Sequence, residues 1–137
     1  MKLLVIGGTG KTGRELIKQG LENGQIVTAI VRNPGKLKLS HPNLKVNKGN
    51  VRIPESFGDS FQGQDVVLSA LGHKRFFIKT NTLSKGTKNI IDEVEKNHIK
   101  RLICITSPGI NDSRFKPGLY YTLFGAISNS KNTRFKY

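Results

Sequence analysis

Met1-Lys-Leu-Leu-Val-Ile-Gly-Gly-Thr-Gly-Lys-Thr-Gly13 carries an apolar strand straight into glycines spaced to open a helix. Lys2 to Ile6 has the short apolar composition of a strand buried on both faces, as in a parallel sheet. Gly8-x-Gly10-x-x-Gly13 matches the dinucleotide-binding spacing, and Gly7-x-x-Gly10-x-x-Gly13 matches its wider variant. One glycine turns tightly, the next lets backbone N–H groups approach a pyrophosphate, and Gly13 is expected to let the helix pack against the sheet. The helix N-terminus adds free N–H donors and a partial positive charge, so a diphosphate needs no dedicated basic residue there.

A glycine triplet alone also describes a flexible loop before a helix, so its context decides. Gly13, Leu16, Ile17, Gly20 and Leu21 fall on one helical face, and Asn23-Gly24 ends the helix. Ile26 to Val31 then forms a second buried-type strand, which completes strand, glycine turn, helix and strand within about 30 residues. Gly10-Lys11-Thr12 suggests a Walker phosphate loop instead, but that motif needs glycine at position 5, where Val5 stands.

The 137 residues suit one domain, and 36% apolar composition with 15 glycines belongs to a globular chain. No run reaches the length of a membrane span, and the N-terminal apolar stretch is too short for a secretory signal, so a cytoplasmic location is expected. Cys104 has no cysteine partner and no zinc-ligand spacing around it; no metal site is expected, and its apolar surroundings favour a buried structural thiol. The formal net charge of +14 admits nucleic acid, acidic surfaces or an anionic cofactor. Lys and Arg outnumber Asp and Glu nine to two in residues 1–50, eight to six in 51–100 and six to one in 101–137. With no single basic block, the charge reads as a solvated basic surface, partly gathered around a phosphate-rich ligand, and argues against nucleic acid as the main partner.

Arg32 stands at the carboxyl end of the second strand, where an acid would bind a ribose 2′-hydroxyl and an arginine accommodates a 2′-phosphate. No acid occurs between Glu22 and Glu55. Arg32 and Lys36, flanking Asn33-Pro34-Gly35, form a candidate clamp for NADP rather than NAD; an exposed turn is the plainer account of the same residues. Leu44 to Asn47 is the third strand. The side-chain carbonyl of Asn50 could accept from an adenine amino group, or simply shape a turn. Pro54 can begin a short helix with Phe57 and Phe61 on one face, packed in the core. Asp65 to Leu71 is the fourth strand, ending at Gly72 beside the nicotinamide side of the crevice; His73 and Arg75 in the loop beyond suit an exposed basic turn. Asn81 to Asn97 is a helix with Leu83, Thr87, Ile90, Ile91 and Val94 on one face. Arg101 to Thr106 is the fifth strand, and the hydroxyl of Ser107 could bind a substrate carbonyl or position a water, or serve the turn at Pro108-Gly109.

Taken in order, residues 1–122 resemble the atypical short-chain dehydrogenase/reductases of the NmrA-like and biliverdin reductase B/flavin reductase type. Gly7, Gly8, Thr9, Gly10, Lys11, Thr12 and Gly13 match that family's cofactor loop. Arg32 and Lys36 fall where it places cations on the 2′-phosphate, and Gly49-Asn50-Val51 where it usually has Gly-Asp-Val at the adenine. Leu71, Gly72 and Lys74 resemble its loop near the nicotinamide ribose. Thr106-Ser107 resembles its Thr-Ser, which implies cofactor contact for Thr106 and an active-site role for Ser107.

The resemblance implies a Rossmann-type α/β/α doubly wound parallel sheet in the order 3-2-1-4-5. It also implies an NADPH-dependent oxidoreductase passing hydride to a flavin, quinone or similar small-molecule acceptor. The Tyr-x-x-x-Lys pair of typical short-chain enzymes is absent. Family members usually continue with further strands and helices that build the substrate pocket. Here the likeness fades after Phe124, leaving residues 1–127 as the cofactor domain and 128–137 as a polar basic tail, as in a C-terminally truncated member. The fifth strand would then be a bare edge for the tail or another subunit to cover. The alternative function is a non-catalytic NADP sensor or regulatory module, or an inactive truncated reductase.

Overall fold

The computed structural model describes residues 1–72 and 82–105. Their order is β1 (Lys2–Ile6), α1 (Lys11–Glu22), β2 (Ile26–Val31), β3 (Leu44–Lys48), β4 (Val66–Ser69), α2 (Thr82–Lys96) and β5 (Arg101–Cys104), with short 3₁₀ turns at Pro34–Lys36, Pro54–Ser56 and Gly58–Phe61. The five strands form one sheet in the order β3-β2-β1-β4-β5, and every pairing is parallel. The expected fold class is therefore the observed one.

Side-chain alternation along β1 explains why the sheet needs cover on both faces. Leu4 and Ile6 join Ile30, Val51, Phe57, Phe61, Val67, Ile90 and Val94 in a core on the α2 side. Leu3 and Val5 join Ile17, Val27, Ala29, Val31, Leu37 and Val66 in a second core that includes α1. Phe57 and Phe61 are core residues as expected, with ring centroids 5.7 Å apart. The helix expected at Pro54 is instead two 3₁₀ turns meeting at Phe57.

The remaining differences are local. β4 is shorter than Asp65 to Leu71, and Asp65 is tied to the start of β1: its carboxylate accepts from the Lys2 N–H at 2.7 Å and its own N–H donates to the Lys2 carbonyl at 2.9 Å. β3 runs one residue further, to Lys48, and β5 ends at Cys104. On α2 the buried face is Gly86, Ile90, Glu93 and Val94. Ile91, assigned to that face from sequence, is 40% exposed, because one residue of helix turns it about 100° away from Ile90. No helix among the described residues is long and apolar enough to cross a membrane.

Candidate functional site

The glycine turn closes on itself. Gly7 has φ +85°, a conformation side chains rarely adopt, and a β-carbon there would meet the Ala70 carbonyl oxygen at 2.6 Å. Its own carbonyl accepts from the Gly10 N–H at 3.0 Å. A β-carbon on Gly13 would run into that carbonyl oxygen and lie 2.8 Å from Gly7 C and 2.9 Å from Gly8 Cα. Gly13 thus makes room for the turn itself, and the close approach of helix to sheet falls to Gly20, whose added β-carbon would sit 3.1 Å from Val27 Cγ2. Gly8 is small for packing: a β-carbon would lie 2.8 Å from Ile17 Cδ1.

Gly10 caps α1 without a side-chain hydrogen bond, and no acid occupies the first turn. The Arg14 N–H donates to the Gly10 carbonyl at 3.0 Å, whereas the N–H groups of Lys11, Thr12 and Gly13 have no partner among the described residues. These orphan donors at a positive helix end suit an anion. Gly10, Lys11 and Thr12 are exposed and Thr9 half-buried, so the mouth of the helix is open.

Parallel strands bring the other loops to the same end of the sheet. Arg32 is exposed just past β2, whose last carbonyl, on Val31, accepts from the Gly49 N–H at 3.0 Å. Asn33 turns the following chain: its Oδ1 accepts from the Gly35 N–H at 3.1 Å. Lys36 is exposed, while Leu37 is buried in the α1-side core. Asn50 has the turn role: Oδ1 accepts from the Arg52 N–H at 3.1 Å, and its N–H donates to Ser56 Oγ at 2.9 Å. An adenine amino group would have only the second lone pair of that oxygen. Val51 is buried, and its carbonyl accepts from Asn89 Nδ2 on α2 at 2.8 Å. Leu71 is half-buried against the α2-side core, and Gly72 is exposed. Lys74, Thr106 and Ser107 lie outside the described residues, as do His73 and Arg75.

Two contributors escaped the sequence reading. Arg14 Nη2 donates to the Lys36 carbonyl at 2.8 Å, joining α1 to the basic turn. Asn89 joins α2 to the loop after β3. A cation just after the last glycine must sit at the strand-end side of the sheet, which is the signal for Arg14; Asn89 has none short of the fold. Cys104 is half-buried beside Ser69 on the neighbouring strand; burial raises its thiol pKa, and a hydrogen bond with Ser69 partly opposes the rise. No cluster of three His, Cys, Asp or Glu side chains suited to a metal ion occurs among the described residues.

A parallel sheet in this order, whose first strand ends in a closed glycine turn at an uncapped helix, defines a Rossmann-type nucleotide-binding domain. The chain belongs to the NAD(P)H-binding family, whose model matches residues 7–137. Among its relatives, the photosystem II assembly factor Ycf39 of Synechocystis is 29% identical over 110 residues, covering 75% of this chain and 32% of its own length. An isoflavone reductase homolog of Nicotiana tabacum is 30% identical over 111 residues, covering 74% of this chain and 34% of its own. The chain thus spans about a third of each of these relatives. Among solved structures, a Rossmann-fold NAD(P)-binding family protein of Shigella flexneri superposes with a TM-score of 0.68 at 25% identity, over 93% of this chain and 60% of that one.

Proposed function

We propose that this chain is the cofactor-binding part of an NADPH-dependent reductase that delivers hydride to a flavin, quinone or similar planar acceptor. The closed glycine turn carries the reading. Gly7, Gly8 and Gly13 leave no space for β-carbons, and beside them α1 opens with N–H groups that have no partner among the described residues, donors of the polarity a diphosphate needs. The amides of Lys11, Thr12 and Gly13 would bind the diphosphate, with Thr9 and Gly10 lining its approach. Arg32 and Lys36 would hold a 2′-phosphate, a preference supported by the absence of any acid between Glu22 and Glu55. The turn at Asn50 and Val51 would border the adenine, and Leu71 and Gly72 the nicotinamide ribose. Bound NADPH would supply the hydride, and the chain would bind and orient it. The name of the tobacco relative supports the reductase half of this reading.

Titration with NADPH and NADH, followed by thermal melting, tests the reading, since a ligand of the native state raises the midpoint by mass action. NADPH should give the larger shift, and Arg32→Asp should reduce it; equal shifts with both nucleotides would defeat the 2′-phosphate assignment. The assembly-factor name of the Synechocystis relative supports a second reading, a nucleotide-binding module without turnover. Binding of NADPH with no oxidation of it by flavin mononucleotide or dichlorophenolindophenol would select that one.

A further inference from the structure

We propose that Arg14 is the positioning residue that sets the choice between a 2′-phosphate and a 2′-hydroxyl, by holding the basic turn against the first helix. The inference rests on the NADPH reading above. The turn from Asn33 to Leu37 is fastened at its start by Asn33, whose side chain accepts from Gly35 and whose carbonyl accepts from the Lys36 N–H at 3.2 Å. At its end Leu37 is buried, and its N–H donates to the Pro34 carbonyl at 2.9 Å. The two cations between and before these points, Arg32 and Lys36, are exposed and make no ion pair among the described residues. Packing holds the end of the turn, where Leu37 shares a core with Ile17 of α1, whereas the bonds from the Gly35, Lys36 and Leu37 N–H groups are local to the turn.

Arg14 adds a polar tie between α1 and the residue that carries the second cation. It lies in the opening turn of α1, with its N–H on Gly10 and its guanidinium on the Lys36 carbonyl 22 residues away. The helix that presents the diphosphate donors and the turn that presents the cations are thereby held in one geometry. An arginine suits the task because one of its five donors can bind the carbonyl while the guanidinium keeps its charge. A ligand with a 2′-phosphate gains from this fixed spacing; one with a 2′-hydroxyl has little to gain. Arg14 acts through Arg32 and Lys36, and the expected signature is a change in selectivity.

The full chain and its Arg14→Ala, Arg14→Lys and Arg32→Ala variants would be titrated with NADPH and with NADH by calorimetry, with melting temperatures recorded for each. Arg14→Ala should weaken NADPH about tenfold and leave NADH within about twofold, while Arg14→Lys, which keeps one donor for the carbonyl, should recover most of the NADPH loss. Equal weakening of both nucleotides would mark Arg14 as merely structural and overturn the proposal, as would unchanged selectivity. If the unaltered chain shows no preference for NADPH, or Arg32→Ala leaves NADPH binding intact, the 2′-phosphate reading fails first and the proposal falls with it. Selectivity that depends on Arg32 but not on Arg14 overturns the proposal alone.

Discussion

Gly13→Ala tests the closed turn where helix propensity points the other way. In an exposed helix, Gly to Ala stabilises by about 1 kcal/mol. At position 13 the new β-carbon collides with the Gly7 carbonyl oxygen and lies 2.8 Å from Gly7 C and 2.9 Å from Gly8 Cα, all backbone atoms that no rotamer change can move. Carbon contacts relax near ~3.5 Å, so helix and turn must separate by roughly 0.7 Å. Overpacking costs about 1–3 kcal/mol, and against rigid backbone it falls at about 2–3 kcal/mol, which leaves a net loss of about 1–2 kcal/mol after the propensity gain. The melting midpoint should fall by roughly 3–7 °C. The same separation draws the N–H groups of α1 away from the turn, and NADPH affinity should drop about tenfold or more. Gly20→Ala is the control: its nearest neighbours, Val27 Cγ2 at 3.1 Å and Leu3 Cδ1 at 3.2 Å, are side-chain tips that can give way, and both properties should stay close to those of the unaltered chain. A Gly13→Ala protein that melts at or above the original temperature and binds NADPH equally well would refute this geometry.

A β-carbon on Gly86 would lie 2.8 Å from Val51 Cγ2, so Gly86→Ala and Val51→Ala should each destabilise, and the double variant should lose less than the sum; additive losses in urea titration would show that the two do not press on each other. Asn89→Ala removes the bond to the Val51 carbonyl and should cost about 1 kcal/mol with faster amide exchange in the loop after β3; unchanged exchange would sink that role. Burial raises the Cys104 pKa, so the native state holds the proton more tightly than the unfolded chain does. Its contribution is complete below the ordinary thiol pKa and is lost as pH rises through the raised value; Cys104→Ala should flatten the alkaline fall in stability, and an unchanged slope would contradict the burial argument.

How much of this was legible in the sequence depends on the range of the interaction involved. The strands and the glycine turn follow from periodicity and spacing within short windows, while the order of the strands was expected only from the family resemblance. The reason for Gly13 was misplaced, because spacing records that a glycine is needed and not which atoms crowd it. Asn50 offered two roles of equal standing, and the choice fell to Arg52 and Ser56, whose positions depend on two 3₁₀ turns that looked like one helix. Ile91 went to the wrong face because several apolar residues in α2 allow two adjacent stripes, and only the packing of Val51 and Phe57 chooses between them. Asn89 was invisible because it binds a backbone carbonyl far along the chain, a contact that leaves no composition signal, whereas Arg14 was marked only by its place just after the last glycine, with nothing to name the Lys36 carbonyl as its partner.

The missing cap at Gly10 has a consequence for the protein in a cell. A nucleotide seated on the N–H groups there would steady the opening turn of a helix that already forms without it, so the supply of nucleotide in the cell would set how often that turn opens. Turnover by proteases would then follow nucleotide supply, with no separate sensor required.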